Sequence, residues 1–163
     1  MIEVKQMPDS QIEGLLARVN YGHLACSLND RPYIVPVNYV YHKPDIYIYT
    51  TEGLKTGIIK ANPHVCLQVE EVVDNEDWQS VIVNGVAEPI TNVREREEIV
   101  KLIRSANPTL SPAISIKWLD NWIKENIEVI YRIKPQTVNG RSTAKVKISV
   151  AFAKPGPGRG TRQ

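Results

Sequence analysis

The chain has 163 residues, enough for one sizeable core, and its 42% hydrophobic and 23% charged residues are ordinary for a globular protein. The formal net charge is +2, of which Lys154, Arg159 and Arg162 in the last ten residues carry +3, leaving −1 for residues 1–153. A body so nearly neutral excludes a basic nucleic-acid footprint, and no apolar run nears the ~20 residues that span a bilayer.

These totals give a single domain over 1–153, followed by a flexible basic Gly/Pro-rich tail over 154–163. The start, MIEVKQMPDS, has no apolar segment of signal-peptide length. Cys26 and Cys66 lie in apolar runs without a C-x-x-C pair, which predicts buried, reduced thiols in a soluble cytoplasmic protein.

In chain order, Gln11 to Val19 reads as a helix, with Ile12, Leu15, Leu16 and Val19 on one face. Ser10 and Glu13 are spaced as a capping box, and Gly22 is placed to stop the helix. HLACSL is a short strand and NDRP a turn. Tyr33 to Tyr41, YIVPVNYVY, is nearly continuous in β-branched and aromatic residues, as in a strand buried on both faces. HKPD turns the chain into IYIYTT; GIIKAN then supplies about one helical turn, starting near Thr56. HVCLQVEEV and WQSVIVNGVAEPI are strands, with Gly85 marking a bulge or close approach in the second. A helix over Asn92–Ser105, capped by Asn92, puts Val93, Val100 and Ile103 on one face, and a further helix runs from Pro112 to Asn126. IEVIYRI is a strand, and AKVKISVAF reads as one more. Tyr39, Tyr41, Tyr47 and Tyr49 lie on adjoining strands and are expected to form cross-strand pairs. Short connections favour antiparallel pairing, and a sheet of this length hides its edges by closing. The expected architecture is an antiparallel barrel with peripheral helices.

TTEGLKTG, between two strands, gathers Thr50, Thr51, Gly53, Lys55 and Thr56. Hydroxyls, glycine N–H groups, a lysine and a helix start together suit a phosphate, although a solvated hairpin uses the same residues. Pro36 cannot donate to a ladder, so its strand must be open or bulged there, with free backbone groups that a flat heteroaromatic ring could meet. Asn38, Gln68, Trp78 and Ser80 place polar groups and a flat face on neighbouring strands. His23, His42 and His64 share no ligand spacing, which argues against a metal site.

From about Asp9 to Arg141 the chain resembles the pyridoxamine 5′-phosphate oxidase-like, FMN-binding split-barrel proteins. The marks are YGHLACSLNDRPYIVPVNYVY, IYIYTTEGLKTGIIKANPHVCLQVE and WQSVIVNGVAEPI, in that order. The resemblance implies a mainly β fold, a six-stranded antiparallel split barrel, forming a homodimer with FMN at the interface. It implies that Val35, Pro36, Val37 and Asn38 line the isoalloxazine, largely through backbone. Thr50 and Thr51 would follow the ring edge and ribityl chain, and Lys55 with Thr56 would hold the phosphate. Gln68, Trp78, Ser80 and Val81 would complete the pocket, some from the second subunit, and Arg141 of NGR would reach the cofactor.

Two departures narrow what carries over. Tyr49 stands where nitroimidazole-resistance members have a histidine, so chemistry that depends on the histidine is not implied. The Arg-containing C-terminal segment with which true pyridoxamine phosphate oxidases read their substrate has no counterpart placed here. The implied activity is that of an FMN-dependent oxidoreductase, with flavin-mediated hydride transfer on a small molecule and no catalytic side chain named. A non-catalytic FMN store, redox sensor or partner-binding dimer, a haem-binding split barrel and a deazaflavin user are the alternatives.

Overall fold

The computed structural model describes residues 2–106 and 129–144. The expected helix over Pro112–Asn126, the strand AKVKISVAF beyond Ala144 and the basic tail lie outside the described residues.

The elements are β1 (Glu3–Gln6), α1 (Asp9–Val19), β2 (Tyr21–Leu28), β3 (Arg31–His42), β4 (Asp45–Thr50), α2 (Leu54–Ala61), β5 (His64–Asp74), β6 (Asp77–Pro89), α3 (Val93–Ser105) and β7 (Val129–Ala144). All strand pairings are antiparallel, in the order β1-β7-β4-β3-β2-β5-β6, and a further β6–β7 pairing closes the ring. Six strands were expected. Strands β2–β7 make that ring, and β1 is a seventh, pairing with the far end of β7 from Arg141 to Ala144.

The pleat sends alternate side chains inward. Leu24, Leu67, Val69, Val81 and Val83 are fully buried inside the ring, with Leu15 and Leu16 of α1 and Ile59 of α2 closing it. Each such side chain contributes about 1.5–3 kcal/mol by leaving water. A second, smaller cluster lies on the outer face. Val40, Tyr47, Tyr49 and Ile130 pack there under Ile99 and Ile103 of α3. Arg132 fastens α3 to the sheet, donating to Glu95 Oε1 at 2.6 Å and to Glu88 Oε2 at 3.0 Å.

Several local expectations change. The helix α1 starts at Asp9 on Pro8, whose carbonyl accepts from Gln11 and Ile12 N–H, so Ser10 sits inside the first turn and forms no cap. It ends at Asn20, which takes the left-handed conformation (φ 56°) that its short polar side chain tolerates. Gly22 belongs instead to β2, where a Cβ would come within 2.6 Å of the Gln68 carbonyl oxygen, so glycine lets β2 and β5 approach. The NDRP turn is a two-residue hairpin, with Asn29 (φ 50°) and Asp30 (φ 59°) both left-handed. Asn92 does cap α3, accepting from Glu95 N–H at 3.0 Å, but Val93 is 70% exposed because the buried stripe runs through Ile99 and Ile103. In β3, burial on both faces holds only for Val37 to Val40; Ile34 is 64% exposed, since α3 covers only the later half of the strand. The tyrosines do not pair across strands. Tyr39 opposes Ile48 and Tyr47 opposes Val40, which sends Tyr39 into the ring and Tyr47 and Tyr49 under α3.

Gly85 is the bulge that was expected: the β6–β7 register shifts between Asn84 and Gly85, and a Cβ there would lie 2.4 Å from the Lys134 carbonyl oxygen. Gly85→Ala should destabilise by about 1–3 kcal/mol, the range for overpacking. Gly57→Ala, in the interior of α2 with nothing within 4 Å of the added Cβ, should instead stabilise by up to about 1 kcal/mol. Urea unfolding midpoints check both; equal shifts in the two variants would contradict this packing.

Candidate functional site

Residues opposite one another in an antiparallel pair share a face. The register therefore puts Pro36, Asn38, His23, Gln68, Ser80, Trp78 and Arg141 on the outer face. Val35, Val37 and Val81 face the ring interior: Val37 and Val81 belong to the core and Val35 packs on it. Their side chains are therefore turned away from a ligand outside, and Val81 is laddered on both edges, to Val69 of β5 and Gly140 of β7.

The outer face has two parts. The helix α3 covers β4, the start of β7 and the later half of β3, and the strands β2, β5 and β6 carry no helix on this face among the described residues. Asn38 stands at the border, 3% exposed, opposite both Tyr21 of β2 and Tyr49 of β4. Here β3 loses a partner. It pairs with β4 only from Asn38 to His42, so Arg31 to Val37 are laddered to β2 alone. Continuing the register would bring Thr50 opposite Val37 and Thr51 opposite Pro36. Instead Thr50 pairs with Val129 of β7 and the chain departs into α2. The opening that proline demanded is present.

Beyond the opening lies TTEGLKTG. Thr50 is 8% exposed, its hydroxyl 3.4 Å from the Thr51 carbonyl. The helix α2 begins at Leu54, two residues earlier than expected. Thr56 is buried and occupied with starting the helix. Its Oγ1 accepts from Gly53 N–H at 2.9 Å, and its own proton goes to Glu52 Oε2 at 2.7 Å or the Gly53 carbonyl at 2.8 Å. Glu52, absent from the expected set, is held below the usual carboxylate range by Thr56 and by Lys60, which donates to it at 3.2 Å. Lys55 lies within electrostatic reach of Glu52 and of Cys26, whose thiol burial pushes up. Cys66 is raised by burial too; Cys26 is buried as expected, whereas Cys66 is only half-buried.

Gln68, Ser80, Trp78 and Arg141 form a separate group. Gln68 Nε2 lies 3.4 Å from Ser80 Oγ, Ser80 opposes Arg141, and Trp78 N–H donates to Thr143 Oγ1 at 3.0 Å. Across the bare face, β4 and β6 are four strand positions apart. By way of β7, which pairs with both, the same two strands are two positions apart. What joins the groups is His23, opposite both Pro36 and Gln68. Tyr21 was not singled out, and His23 was weighed only as a ligand to a metal; the signal was their period-two spacing in YGHLACS, in phase with Gln68 on the paired strand. Among the described residues, no cluster of His, Cys, Asp or Glu could hold a metal, and no helix is long and apolar enough to cross a membrane.

Comparison with known proteins agrees with this architecture. A family model described as pyridoxamine 5′-phosphate oxidase matches residues 8–142. The chain belongs to the pyridoxamine 5′-phosphate oxidase family. Its ring of β2–β7 is consistent with the split barrel that the sequence resemblance implied. A FAD-binding protein of Mesorhizobium loti superposes with a TM-score of 0.70 at 24% identity, over 89% of this chain and 100% of that one. A candidate pyridoxamine 5′-phosphate oxidase of Corynebacterium glutamicum gives 0.66 at 25% identity, over 86% and 98%. An uncharacterized protein of Rhizobium meliloti is 35% identical over 82 residues, 50% of this chain and 54% of that protein. The chain thus spans about half the length of the curated relative it matches.

Beside the opening, Tyr49 is 3% exposed and burial pushes its phenol up to about 12, above the ordinary value near 10. A raised phenol favours the neutral folded form. The stability it contributes is whole below about pH 10 and is lost as pH rises toward about 12, by roughly 2–3 kcal/mol in all. Urea midpoints should fall across that window, and Tyr49→Phe should remove its share of the fall. A wild-type midpoint flat to pH 12 would contradict the burial.

Proposed function

We propose that this family member is a flavoprotein that binds FMN along the open edge of β3 and acts as an oxidoreductase on a small molecule. The observation that carries this reading is the seven-residue stretch Arg31–Val37, laddered on one side only, running up to the buried Asn38 and the threonines that leave β4. Free backbone groups there suit the imide and carbonyl edge of an isoalloxazine. The family membership and the FAD-binding protein of similar fold support a flavin as the ligand.

The end of this open stretch suits the phosphate of FMN. The start of α2 offers backbone N–H groups, and Lys55 offers a cation. The negative charge of Glu52 is already met by Lys60, so an anion beside Lys55 is tolerated. Thr56 serves indirectly, by fixing the first turn of the helix that presents those groups. A haem is less well served, because both ring nitrogens of His23 are engaged, by Tyr21 at 3.3 Å and Gln68 at 3.2 Å.

A flavin brings its own redox chemistry, accepting or giving hydride at N5. The chain's part is to orient the ring through the β3 backbone and Asn38 and to anchor the phosphate. In this reading the chain assembles as a homodimer, with Trp78, Ser80 and Arg141 supplied by the second copy. Ile34 and Ile82, 64% and 42% exposed on the bare face, suit burial in such an interface.

Titration with FMN should shift or quench the visible absorbance of the flavin. Lys55→Ala should weaken binding by about 1.5–3 kcal/mol, roughly 10- to 150-fold. Unchanged affinity in that variant would remove Lys55 from the phosphate site. Light scattering should give twice the mass of one chain; a monomer at all concentrations would defeat the shared-site arrangement.

A further inference from the structure

The side chains of Tyr21, His23, Gln68 and Glu70 form an unbroken hydrogen-bonded row on the bare face. Gln68 Nε2 is 2.9 Å from Glu70 Oε2, Gln68 Oε1 is 3.2 Å from His23 Nδ1, and His23 Nε2 is 3.3 Å from the Tyr21 hydroxyl. The proton positions follow from chemistry. A carboxylate oxygen only accepts, so the Gln68 atom facing Glu70 is its amide nitrogen, whose second proton points to Ser80 Oγ at 3.4 Å. The amide oxygen is left for His23, so Nδ1 carries the imidazole proton. Nε2 is then bare and accepts from the Tyr21 hydroxyl. The two rings meet edge to face, with centroids 5.5 Å apart.

This row begins at the opening in the sheet: Pro36 opposes His23 and Asn38 opposes Tyr21, and neither titrates. The charged groups around it are Glu70 on β5 and, opposite Ser80 and one strand farther, Arg141 on β7. Gly22 makes the arrangement possible, since only without a Cβ can β2 come close enough to pair His23 with Gln68.

We propose that His23, positioned by Gln68 and Glu70, is a redox-linked proton site for the ligand in the groove; this rests on the flavin reading above. When an external reductant delivers two electrons to the bound flavin, a proton from solvent adds to His23 Nε2 and the Tyr21 hydroxyl turns away. The imidazolium then offsets the negative charge gained by the ligand. His23 would act here through charge.

Two measurements test this. Long-range proton–nitrogen NMR of the 15N-labelled, flavin-free protein, with His23→Gln assigning the signals, should show His23 protonated at Nδ1. Tyr21→Phe should keep that tautomer and Gln68→Leu should lose it. Protonation at Nε2 in the wild type overturns the proposal. With FMN bound and dithionite as reductant, the midpoint potential should fall more steeply with pH in the wild type than in His23→Gln, between about pH 6 and about pH 8. The expected difference is one proton per two electrons. Equal slopes overturn the proposal, whatever the tautomer. A flavin spectrum unchanged by the protein would sink the flavin reading itself, and the redox role with it, while the NMR result would still report on the row.

Discussion

The whole arrangement hangs on β7. This single sixteen-residue strand pairs with β4 at its start, with β6 along most of its length and with β1 at its end. Among the described residues no other strand closes the ring, and the closure is what buries the edges that β4 and β6 would otherwise expose. Its geometry is demanding. The register slips at Gly85, where the two backbones come closer than any side chain would permit. Closure in turn defines an inside, which collects the alternate apolar residues, and an outside that is free to differ from place to place.

That outside is where the proposed flavin site lies. The helix α3 claims one part of it, tied down by Arg132, Glu95 and Glu88. Next to the covered part, the β3–β4 ladder stops at Asn38, two residues short of Pro36, which has no N–H to give, while β4 runs one residue further against β7 on its other edge. Asn38, buried at the border, marks where one regime passes into the other.

Much of this was legible beforehand, for reasons that vary with the residue. Gly85 and Pro36 were readable because each removes a chemical group, a Cβ or an N–H, and leaves few structural solutions. The cap at Asn92 was readable because it is local. The start of α1 was not, since Pro8 and the carbonyl it presents displaced a capping box that looked sufficient in sequence. The side of the sheet taken by Tyr47 and Tyr49 depends on where α3 lands, a long-range fact that no strand pattern contains. Thr56 looked like a ligand because hydroxyls suit phosphate, yet the nearest unsatisfied N–H was that of Gly53 in its own turn. The hydrogen-bonded role of His23 escaped notice for the opposite reason: its partner lies forty-five residues away, and only the register of β2 on β5 reveals it.

The separateness of the two apolar clusters has a consequence for how the molecule breathes. The inner cluster can be exposed only by parting strands of a closed ring, a global event. Among the described residues, the outer one is covered by one helix of thirteen residues. Releasing that helix would wet Tyr49 and Ile130 while every ladder of the ring stays intact. Protection against amide exchange should therefore be layered, with α3 opening on its own at lower free energy than the strands beneath it. The opening in the sheet lies beside that less stable layer, so the groove can loosen without the barrel coming apart.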